Sequence, residues 1–366
     1  MPRLGSRFGL MLSAIISALA MALSAWTQVI PAAVASARLP ARDVSVTGWQ
    51  FSAPGAILAA AGSVFVADSG DDSVFQLSAA TGALIRVVSG PFYQFSDPDA
   101  MSVAEGSIWV ANAGNDTVTE FSARTGALIR VVRGSQYRFY LPAGLAAAGS
   151  DVWVASTSSV TEIDAATGGL VRVIGGRRYQ FSTLDGIAVA GNRVWVPNGR
   201  TVTEIDAATG ALIQVISGRR DHFNGPDAVA VTGNQVWVGN LNSDSVTELD
   251  AATGALVRVV PSLPNIPQAI TANALTVWAA TNSGAKGSDG LGPHGSIVQI
   301  SAGTGKVVRV IAGRPYRVGD PQSLTLAGRD LWIANDLYPG PGGSVTEINA
   351  ASGALIRVIS GRRTRW

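Results

Sequence analysis

Short runs of alternating apolar and polar residues, separated by turns that contain glycine, recur along the chain after residue 50. One stretch shows the pattern clearly, with runs at residues 227–231, 235–238, 245–249 and 255–260. Alternation with a period of two places one face of a strand in a core, and Gly233 and Gly254 mark turns between the runs. Apolar residues do not recur at the helical period over any useful length. The stretch therefore predicts four consecutive antiparallel strands.

The same four-run stretch occurs seven times. Each copy contains a Thr-Gly or Ser-Gly turn between its third and fourth runs, with the glycine at Gly82, Gly126, Gly168, Gly210, Gly254, Gly305 and Gly353. An aromatic residue in the second run keeps the same phase, at Phe65, Trp109, Trp153, Trp195, Trp237, Trp278 and Trp332. Two markers in phase over seven copies exclude chance repetition and indicate one repeated structural unit.

Seven repeats of four short strands predict an all-β fold, a seven-bladed β-propeller with four-stranded antiparallel blades. An open solenoid would fit the period too, but distinct capping copies are absent from the sequence, which favours a closed ring. Residues 44–47 resemble a fourth run that no copy needs, because the last copy has its own at residues 355–359. We expect this spare strand to lie beside the C-terminal blade and to fasten the ring, with Arg362, Arg363 and Arg365 in a solvated tail.

The first 37 residues predict an export signal. Arg3 and Arg7 precede an uncharged, mainly apolar run over residues 8–26, and Ala35-Ser36-Ala37 resembles a cleavage site. The alternative is an uncleaved membrane anchor, because the run is about long enough to span a bilayer. We therefore predict a signal peptide or anchor at residues 1–37, a single propeller domain at residues 38–366, and a secreted or extracytoplasmic location at the cell surface or in the periplasm.

The composition of the chain excludes several kinds of reactive site. With no Cys, the chain has no disulfides, thiolate metal sites or cysteine nucleophile. The chain has 27 Lys and Arg against 25 Asp and Glu, so loss of Arg3 and Arg7 leaves 25 of each and a formal net charge of zero. Nucleic-acid binding needs clustered basic charge, and a neutral mature chain gives no reason to expect it.

The repeat resembles those of the bacterial exported propellers of the YVTN and NHL-like group, which are WD40-like in architecture. The phrases that carry the resemblance lie at residues 109–118 and 201–216, and the likeness extends over residues 51–361. It implies the fold and no particular activity. The Asp-x-x-Thr-Gly turns at residues 164–168 and 206–210 also resemble those of quinoprotein dehydrogenases. Those enzymes have a tryptophan four residues after the glycine, where this chain has Arg172 and Gln214.

A further resemblance is to propellers of the virginiamycin B lyase type, which implies histidine and metal chemistry. This chain contains only His222 and His294, so that chemistry is poorly supplied. His222 lies among charged residues in an inter-blade segment and is a candidate ligand or base.

Several recurrent residues predict scaffold roles. The Thr-Gly turn suits a glycine at positive φ, and the second-run aromatics suit packing between blades. Glu on the third strand and Arg on the fourth are expected to pair across an outer hairpin and to keep the outer strands from pairing with other molecules. Recurrent Tyr and Phe between blades favour hydrophobic anchoring over a carbohydrate platform. Asp72, Asp116 and Asp244 are interpreted as turn formers rather than as calcium ligands.

Function is expected on the face that carries the loops between second and third strands and the inter-blade loops, because these loops vary most between copies. The residues at the start of each innermost strand should encircle the mouth of the central channel: Gly55, Asp99, Ala143, Asp185, Asp227, Gln268 and Gln322. Three carboxylates and two amides there suit Ca²⁺, Mg²⁺ or a polar ligand. Alternatively, each Asp caps the backbone at the start of its own strand.

Two functions of different class follow. The favoured one is an exported, non-enzymatic propeller, expected as a monomer, that binds a protein, peptide or cell-surface polymer through its loop face and needs no cofactor. It would use Asp99, Asp185, Asp227, Gln268, Gln322 and His222. The alternative is a metal-dependent lyase, lactonase or hydrolase with its site at Asp99, Asp185 and Asp227. We expect membrane contact only through an uncleaved N-terminal segment.

Overall fold

The computed structural model describes residues 42–47, 50–217, 223–282, 295–336 and 342–362, and the predicted export signal and the tail residues Arg363 and Arg365 lie outside these ranges. Arg362, also expected in the solvated tail, is instead the last residue of the fourth strand of the C-terminal blade, opposite Thr47, so the tail prediction is wrong for this residue. Within the described ranges the chain forms seven antiparallel sheets arranged as blades. Blade one is β2 (Pro54–Ala60), β3 (Ser63–Asp68), β4 (Ser73–Ser78) and β5 (Leu84–Val88); blade two is β6 (Pro98–Ala104), β7 (Ser107–Asn112), β8 (Thr117–Ser122) and β9 (Leu128–Val132); blade three is β10 (Gly144–Ala148), β11 (Asp151–Ser156), β12 (Ser159–Asp164) and β13 (Leu170–Gly175).

The remaining blades repeat the same order from the innermost to the outermost strand. Blade four is β14 (Ala188–Ala190), β15 (Arg193–Asn198), β16 (Thr201–Asp206) and β17 (Leu212–Ser217); blade five is β18 (Pro226–Thr232), β19 (Gln235–Asn240), β20 (Ser245–Asp250) and β21 (Leu256–Val260); blade six is β22 (Ile266–Ala272), β23 (Thr276–Asn282), β24 (Ser296–Ser301) and β25 (Val307–Ile311); blade seven is β26 (Pro321–Ala327), β27 (Asp330–Asn335), β28 (Ser344–Asn349) and β29 (Leu355–Arg362), with β1 (Arg42–Thr47) added to it. Among the described residues no helix is long and apolar enough to cross a bilayer.

The ring is closed, as the repeat count predicts. The innermost strands of neighbouring blades contact each other all the way around, including β2 with β26. The backbone N–H of Ala59 in blade one donates to Thr325 Oγ1 in blade seven at 3.3 Å. Phe51 and Phe75 pack in one buried cluster with Trp332 and Ile359, so the first and last blades share a core like any other pair.

The predicted spare strand lies where the sequence placed it. β1 pairs with β29 in parallel, with Asp43 opposite Val358 and Val44 opposite Ile359. Blade seven therefore has five strands, in the order β1-β29-β28-β27-β26, whereas each other blade has four. The strand extends two residues further towards the N-terminus than the alternating pattern alone suggests.

The second-strand aromatics and the Thr-Gly turns are structural, as predicted. Phe65 and the six tryptophans are at most 1% exposed and pack between blades. The turn glycines have φ between 68° and 73°, a region that glycine adopts without steric cost. The Thr hydroxyl of six turns and the Ser352 hydroxyl of the seventh each accept a local backbone N–H, as Thr167 Oγ1 does from Gly169 at 3.1 Å.

The Glu and Arg residues of the outer hairpins pair as predicted, but their setting differs from the prediction. Arg130 Nε lies 2.8 Å from Glu120 Oε2, and the glutamate is buried rather than exposed at an outer edge. The same guanidinium donates through Nη2 to Ala166 O of blade three at 2.9 Å. These arginines therefore clamp neighbouring blades together, and the expectation that they guard the outer edges is wrong.

The inter-blade aromatics anchor one blade to the next, as expected. Tyr137 stacks on Phe139 with ring centroids 5.3 Å apart, and its hydroxyl donates to Gly168 O of blade three at 2.9 Å. Tyr93 and Tyr179 form equivalent hydrogen bonds at 2.7 and 2.9 Å. Each tyrosine thus caps the Thr-Gly turn of the following blade while its ring covers apolar surface.

Candidate functional site

The variable loops share one face of the ring, as predicted. The loop after a second strand bonds directly to the inter-blade loop that begins the same blade: Ser69 N donates to Ala53 O at 3.0 Å. We call this side, with its inter-blade loops and loops between second and third strands, the loop face. Asp72, Asp116 and Asp244 adopt positive φ in these loops, which confirms them as turn formers.

The two longest loops, in blades six and seven, are only partly described, because residues 283–294 and 337–341 lie outside the described ranges. The described ends of the second loop lie on the loop face. Asp336 N donates to Asp320 O at 2.9 Å, and Gly343 N donates to Phe51 O at 3.1 Å. The Asn282 side chain, at the start of the first loop, donates to Asp320.

A cavity of about 260 Å³ occupies the channel mouth on the loop face. All seven strand-start residues named from the sequence line it: Gly55, Asp99, Ala143, Asp185, Asp227, Gln268 and Gln322. Below them Ile57, Met101 and Val229 give the cavity an apolar floor. The structure therefore brings the five predicted polar side chains together around one opening. His222 lies outside the described residues.

An irregularity in the innermost strands places these side chains at the mouth. The pairing register shifts between Pro98 and Ala100 in β6 and between Pro226 and Val229 in β18. A bulge at such a point re-aims the residue beside the proline, here Asp99 or Asp227. Proline suits the position because the first residue of a strand need not donate to the ladder. Six of the seven blades have this proline, and five of their innermost strands show the register shift. Blade four has Leu184 before Asp185 and no shift, so this account covers Asp99 and Asp227 but not Asp185.

The carboxylates at the mouth do not cap their own strands. Among the described residues no backbone N–H donates to Asp99, Asp185 or Asp227, so the capping alternative is wrong for these three. Asp68, by contrast, accepts from Ser52 N and Ala53 N at 2.7 and 2.8 Å. Among the described residues, the mouth carboxylates therefore make no hydrogen bond that stabilises their own strand or turn.

Asp227 and Asp185 interact directly. Burial raises the pKa of Asp227 to about 7, and the charge of Asp185, a hydrogen bond with its side chain and the charge of Asp99 add to that rise. A hydrogen bond between two carboxyl groups needs a proton on one of them, and the raised pKa of Asp227 supplies it. The Asp99 side chain is exposed at the channel mouth. Partial burial of its carboxyl group nevertheless raises its pKa to about 6, and the charges of Asp97 and Asp185 add to the rise. The mouth therefore changes charge between about pH 6 and 7.

A metal centre at the mouth lacks a compact ligand set. Among the described residues, no three His, Cys, Asp or Glu side chains lie close enough together to hold an ion. Asp99, Asp185 and Asp227 face one opening without forming a three-ligand group. The arrangement suits a cationic or hydrogen-bonding group that enters the opening more than it suits a coordinated metal.

The rim of the loop face carries both charges. The segments that leave the fourth strands contain exposed arginines, at Arg133, Arg138, Arg177, Arg178 and Arg314. The loops between second and third strands add exposed acids, at Asp71, Asp72 and Asp244. The loop face thus has an acidic centre and a rim on which arginine-bearing segments and acidic loops lie side by side. Such a pattern orients a charged partner as well as attracting it.

Two features of the loop face escaped the sequence analysis. Burial raises the pKa of Asp320 to about 6, with Asp336 adding to the rise, although the motif Asp320-Pro321 repeats the Asp97-Pro98 of blade two and could have signalled it. A groove of about 520 Å³ lies where blade three has its shortest loop, and its lining includes Arg138, Tyr140, Arg177 and Phe181. Loop length was the available signal for this groove.

Fold and channel mouth together define a closed, seven-bladed repeat propeller with a polar opening on its loop face. Residues 43–260 match the family model described as outer membrane protein assembly factor BamB. That segment is more than half of the 366-residue chain, so the chain belongs to the outer membrane protein assembly factor BamB family. The resemblance to propeller repeat proteins is confirmed, and the YVTN and NHL-like assignment stays a prediction. No curated protein matches the chain significantly.

Solved structures share the fold at low sequence identity. The RRP9 WD40 repeats align with a TM-score of 0.65 and 14% identity, over 85% of this chain and 94% of that one. A streptogramin B lyase aligns with a TM-score of 0.64 and 16% identity, over 80% and 92%. Virginiamycin B lyase from Staphylococcus aureus aligns with a TM-score of 0.63 and 13% identity, over 78% and 92%. At these identities the comparisons establish the fold alone.

Proposed function

We propose that this protein is an extracytoplasmic binding propeller that holds another protein on its loop face, with a basic side chain of the partner at the acidic channel mouth. The observation that carries the proposal is the convergence of Asp99, Asp185 and Asp227 on one opening, none of them engaged by its own backbone. The family is named for outer membrane protein assembly, which supports a protein partner. The export signal predicted at residues 1–37 supports the location.

The charge pattern defines the partner's chemistry. A Lys or Arg side chain at the mouth would meet three carboxylates and the amides of Gln268 and Gln322. Acidic groups around that side chain would meet the rim arginines Arg138 and Arg177. Attraction of this kind raises association rates and weakens with salt. Since the mouth loses negative charge as Asp227 and then Asp99 protonate, binding should weaken as the pH falls through about 7 and 6.

Site-specific photo-crosslinking in the native host tests the choice of face. Phe92 on the loop face is 79% exposed, and Leu275, in a turn on the opposite face, is 80% exposed. A photoreactive residue at Phe92 or Tyr140 should give a discrete crosslinked protein, and one at Leu275 should not. The crosslink should fade in Asp99→Asn/Asp227→Asn. Equal crosslinking from Leu275, or none from either loop-face position, would overturn the proposal.

Metal titration distinguishes the enzymatic alternative, a metal-dependent lyase, lactonase or hydrolase at the same mouth. Calorimetry with Ca²⁺ and Mg²⁺ on the purified full chain should show no stoichiometric uptake. Uptake of one ion that is lost in both Asp185→Ala and Asp227→Ala would favour the metal-dependent reading over the binding role. Variants Asp164→Ala and Asp206→Ala remove carboxylates from the Thr-Gly turns on the opposite face and serve as matched controls.

A further inference from the structure

Six of the seven blades end in an outermost strand that nothing covers among the described residues. These strands are β5, β9, β13, β17, β21 and β25, each at the edge of a four-stranded sheet. Their sequences are near-duplicates of the start of β29: Leu84-Ile-Arg-Val-Val88 in blade one against Leu355-Ile-Arg-Val-Ile359 in blade seven. Their pairing with the third strand is also equivalent, with Val74 opposite Val88 and Val345 opposite Ile359. The six edges therefore match the edge of β29 over Leu355–Ile359, and β29 continues for three further residues to Arg362.

Blade seven shows what such an edge accepts. β1 lies along β29 in parallel register over residues 42–47. This segment of the chain has valine at alternate positions, Val44 and Val46, and no proline. Parallel addition needs only an extended backbone with matching N–H and C=O groups, and side chains at alternate positions contribute the remainder. The occupant of the seventh edge is thus a sequence-tolerant, strand-forming segment.

Side chains of the outermost strand are less exposed in blade seven than at the equivalent positions of the other blades. The residue before the fourth-strand Arg or Gln is 41–52% exposed in each of blades one to six, and its counterpart Ile356 is half-buried. Val358 is 5% exposed, whereas the equivalent Val87 and Val310 are 41% and 49% exposed. The six other edges therefore present β-branched side chains at the circumference of the ring, and no described strand pairs with their outer backbone groups.

No charged side chain protects these edges. The single arginine of each strand turns towards the next blade: Arg172 Nη2 donates to Ala208 O at 3.0 Å, and its Nε lies 2.6 Å from Glu162. Blade four has Gln214 instead, which donates to Glu204 and to Thr253 O. Natural proteins commonly block an edge with an outward charge, a proline or a bulge. Within the described residues, the six strands contain no proline, and each has a bulge at the residue before its Arg or Gln. The bulge does not block the edge, because β29 has the same one and β1 pairs with it from Arg357 onward.

We propose that the outer edges of blades one to six bind extended segments of a partner polypeptide by adding them as a fifth strand, parallel to the fourth strand as β1 is to β29. The partner segment carries β-branched residues at alternate positions and lacks proline over about five residues, the length of the exposed edge. This surface is the circumference of the ring and is separate from the channel mouth. Several edges on one ring would hold several segments of one unfolded chain, or of more than one chain.

Hydrogen–deuterium exchange of the full-length protein tests the proposal, with a synthetic peptide of the chain's own residues 38–49 as the probe. At a peptide concentration ten times its Kd, amides of β5, β9, β13, β17, β21 and β25 should exchange about tenfold more slowly. β29 serves as the internal reference, because β1 already covers it. Protection of β29 alone, or of none of the six strands, would overturn the proposal.

Two peptides that are N-methylated at alternate amides show whether the probe binds by strand addition. One peptide is N-methylated at the amides corresponding to Asp43, Ser45 and Thr47, and a second at those corresponding to Val44 and Val46. One of the two should lose binding while the other retains it, because alternate amides of an added strand face its neighbour. Equal behaviour of the two peptides contradicts strand addition.

Val87→Lys places a charge on the edge of blade one at an exposed position equivalent to Val358, which lies opposite Asp43 of β1, so the fold should tolerate it. It should abolish protection of β5 and leave the other five strands protected. Sedimentation velocity without peptide tests the competing occupant, a second copy of the chain. Concentration-dependent dimers that protect the same six strands would replace the proposed partner with self-association.

Discussion

Asp185 and Asp227 join the fourth and fifth blades through a hydrogen bond between their carboxyl groups at the channel mouth. Burial, the charge of Asp185 and this hydrogen bond raise the pKa of Asp227 from 3.8 to about 7. The folded protein therefore holds a proton that the unfolded chain releases above about pH 4. The stabilisation that this proton contributes is fully present below the unfolded pKa of Asp227, 3.8, and it is lost as the pH rises through about 7.

Asp227→Asn should remove the loss of stability that accompanies the rise in pH. We expect the variant to match the wild type at pH 4 and to be more stable by about 1–2 kcal/mol at pH 8, after allowance for screening by channel water. Urea unfolding at pH 4, 6 and 8 measures the difference. Asp206→Asn is the control of opposite sign, because hydrogen bonds from Thr209 lower the pKa of that carboxyl and its contribution is lost on acidification. A variant no more stable than wild type at pH 8 would contradict the coupling.

The seven copies offer internal templates for a second prediction, on the buried glutamates. Burial raises the pKa of Glu162 to about 7, Arg172 opposes the rise, and Asp151 adds to it. In blade four the equivalent glutamate, Glu204, lacks an arginine on the fourth strand and instead pairs with Arg193, which occupies the position of Asp151.

Arg172→Gln should therefore destabilise the protein by about 2–3 kcal/mol, because it leaves Glu162 buried beside Asp151. Arg172→Gln/Asp151→Arg recreates blade four and should recover all but about 1 kcal/mol. Glu162→Gln recreates the Gln–Arg pairing of blade one and should cost less than about 1 kcal/mol. Denaturant unfolding measures all three. If the double variant is no more stable than the single one, the glutamate is not the origin of the cost.

A third prediction concerns the Thr-Gly turns. A Cβ on Gly168 would lie 2.6 Å from Cδ of Arg130, whose guanidinium is held by Glu120 and by Ala166 O. Gly168→Ala therefore combines a positive φ with displacement of a clamped arginine, and we expect a cost of about 2–3 kcal/mol. Gly149→Ala has a similar φ of 60° and open space around the new methyl group, so it should cost about 1 kcal/mol. Thermal unfolding of the two variants measures the difference in stability. Equal destabilisation by Gly168→Ala and Gly149→Ala would mean that the contact with Arg130 does not contribute.

Repetition in the sequence explains which features could be predicted. Blade number, the turn glycines, the buried tryptophans and the seven residues of the mouth all follow from comparing copies, because ring closure puts equivalent positions at equivalent places. Contacts between blades do not follow from one copy. The depth at which Glu120 lies and the reach of Arg130 to Ala166 depend on the next blade, so the pairing was predictable and its burial was not. The pairing of Asp185 with Asp227 likewise depends on distances that strand periodicity leaves open.

The fifth strand of blade seven gives the last prediction. β1 covers β29 and leaves Val358 5% exposed, so its removal should expose an apolar edge and loosen the junction between first and last blades. Val44→Pro/Ser45→Pro disrupts this pairing, because proline lacks the N–H that a ladder requires and one of two adjacent amides of β1 faces β29. We expect a cost of about 2 kcal/mol, a melting temperature lower by a few degrees, and faster amide exchange in β29 but not in β25. Val44→Ala/Ser45→Ala keeps both backbone N–H groups of the strand and should change exchange in β29 much less. Unchanged exchange in β29 would mean that the strand does not fasten the ring, and it would also remove the template on which strand addition at the other six edges rests.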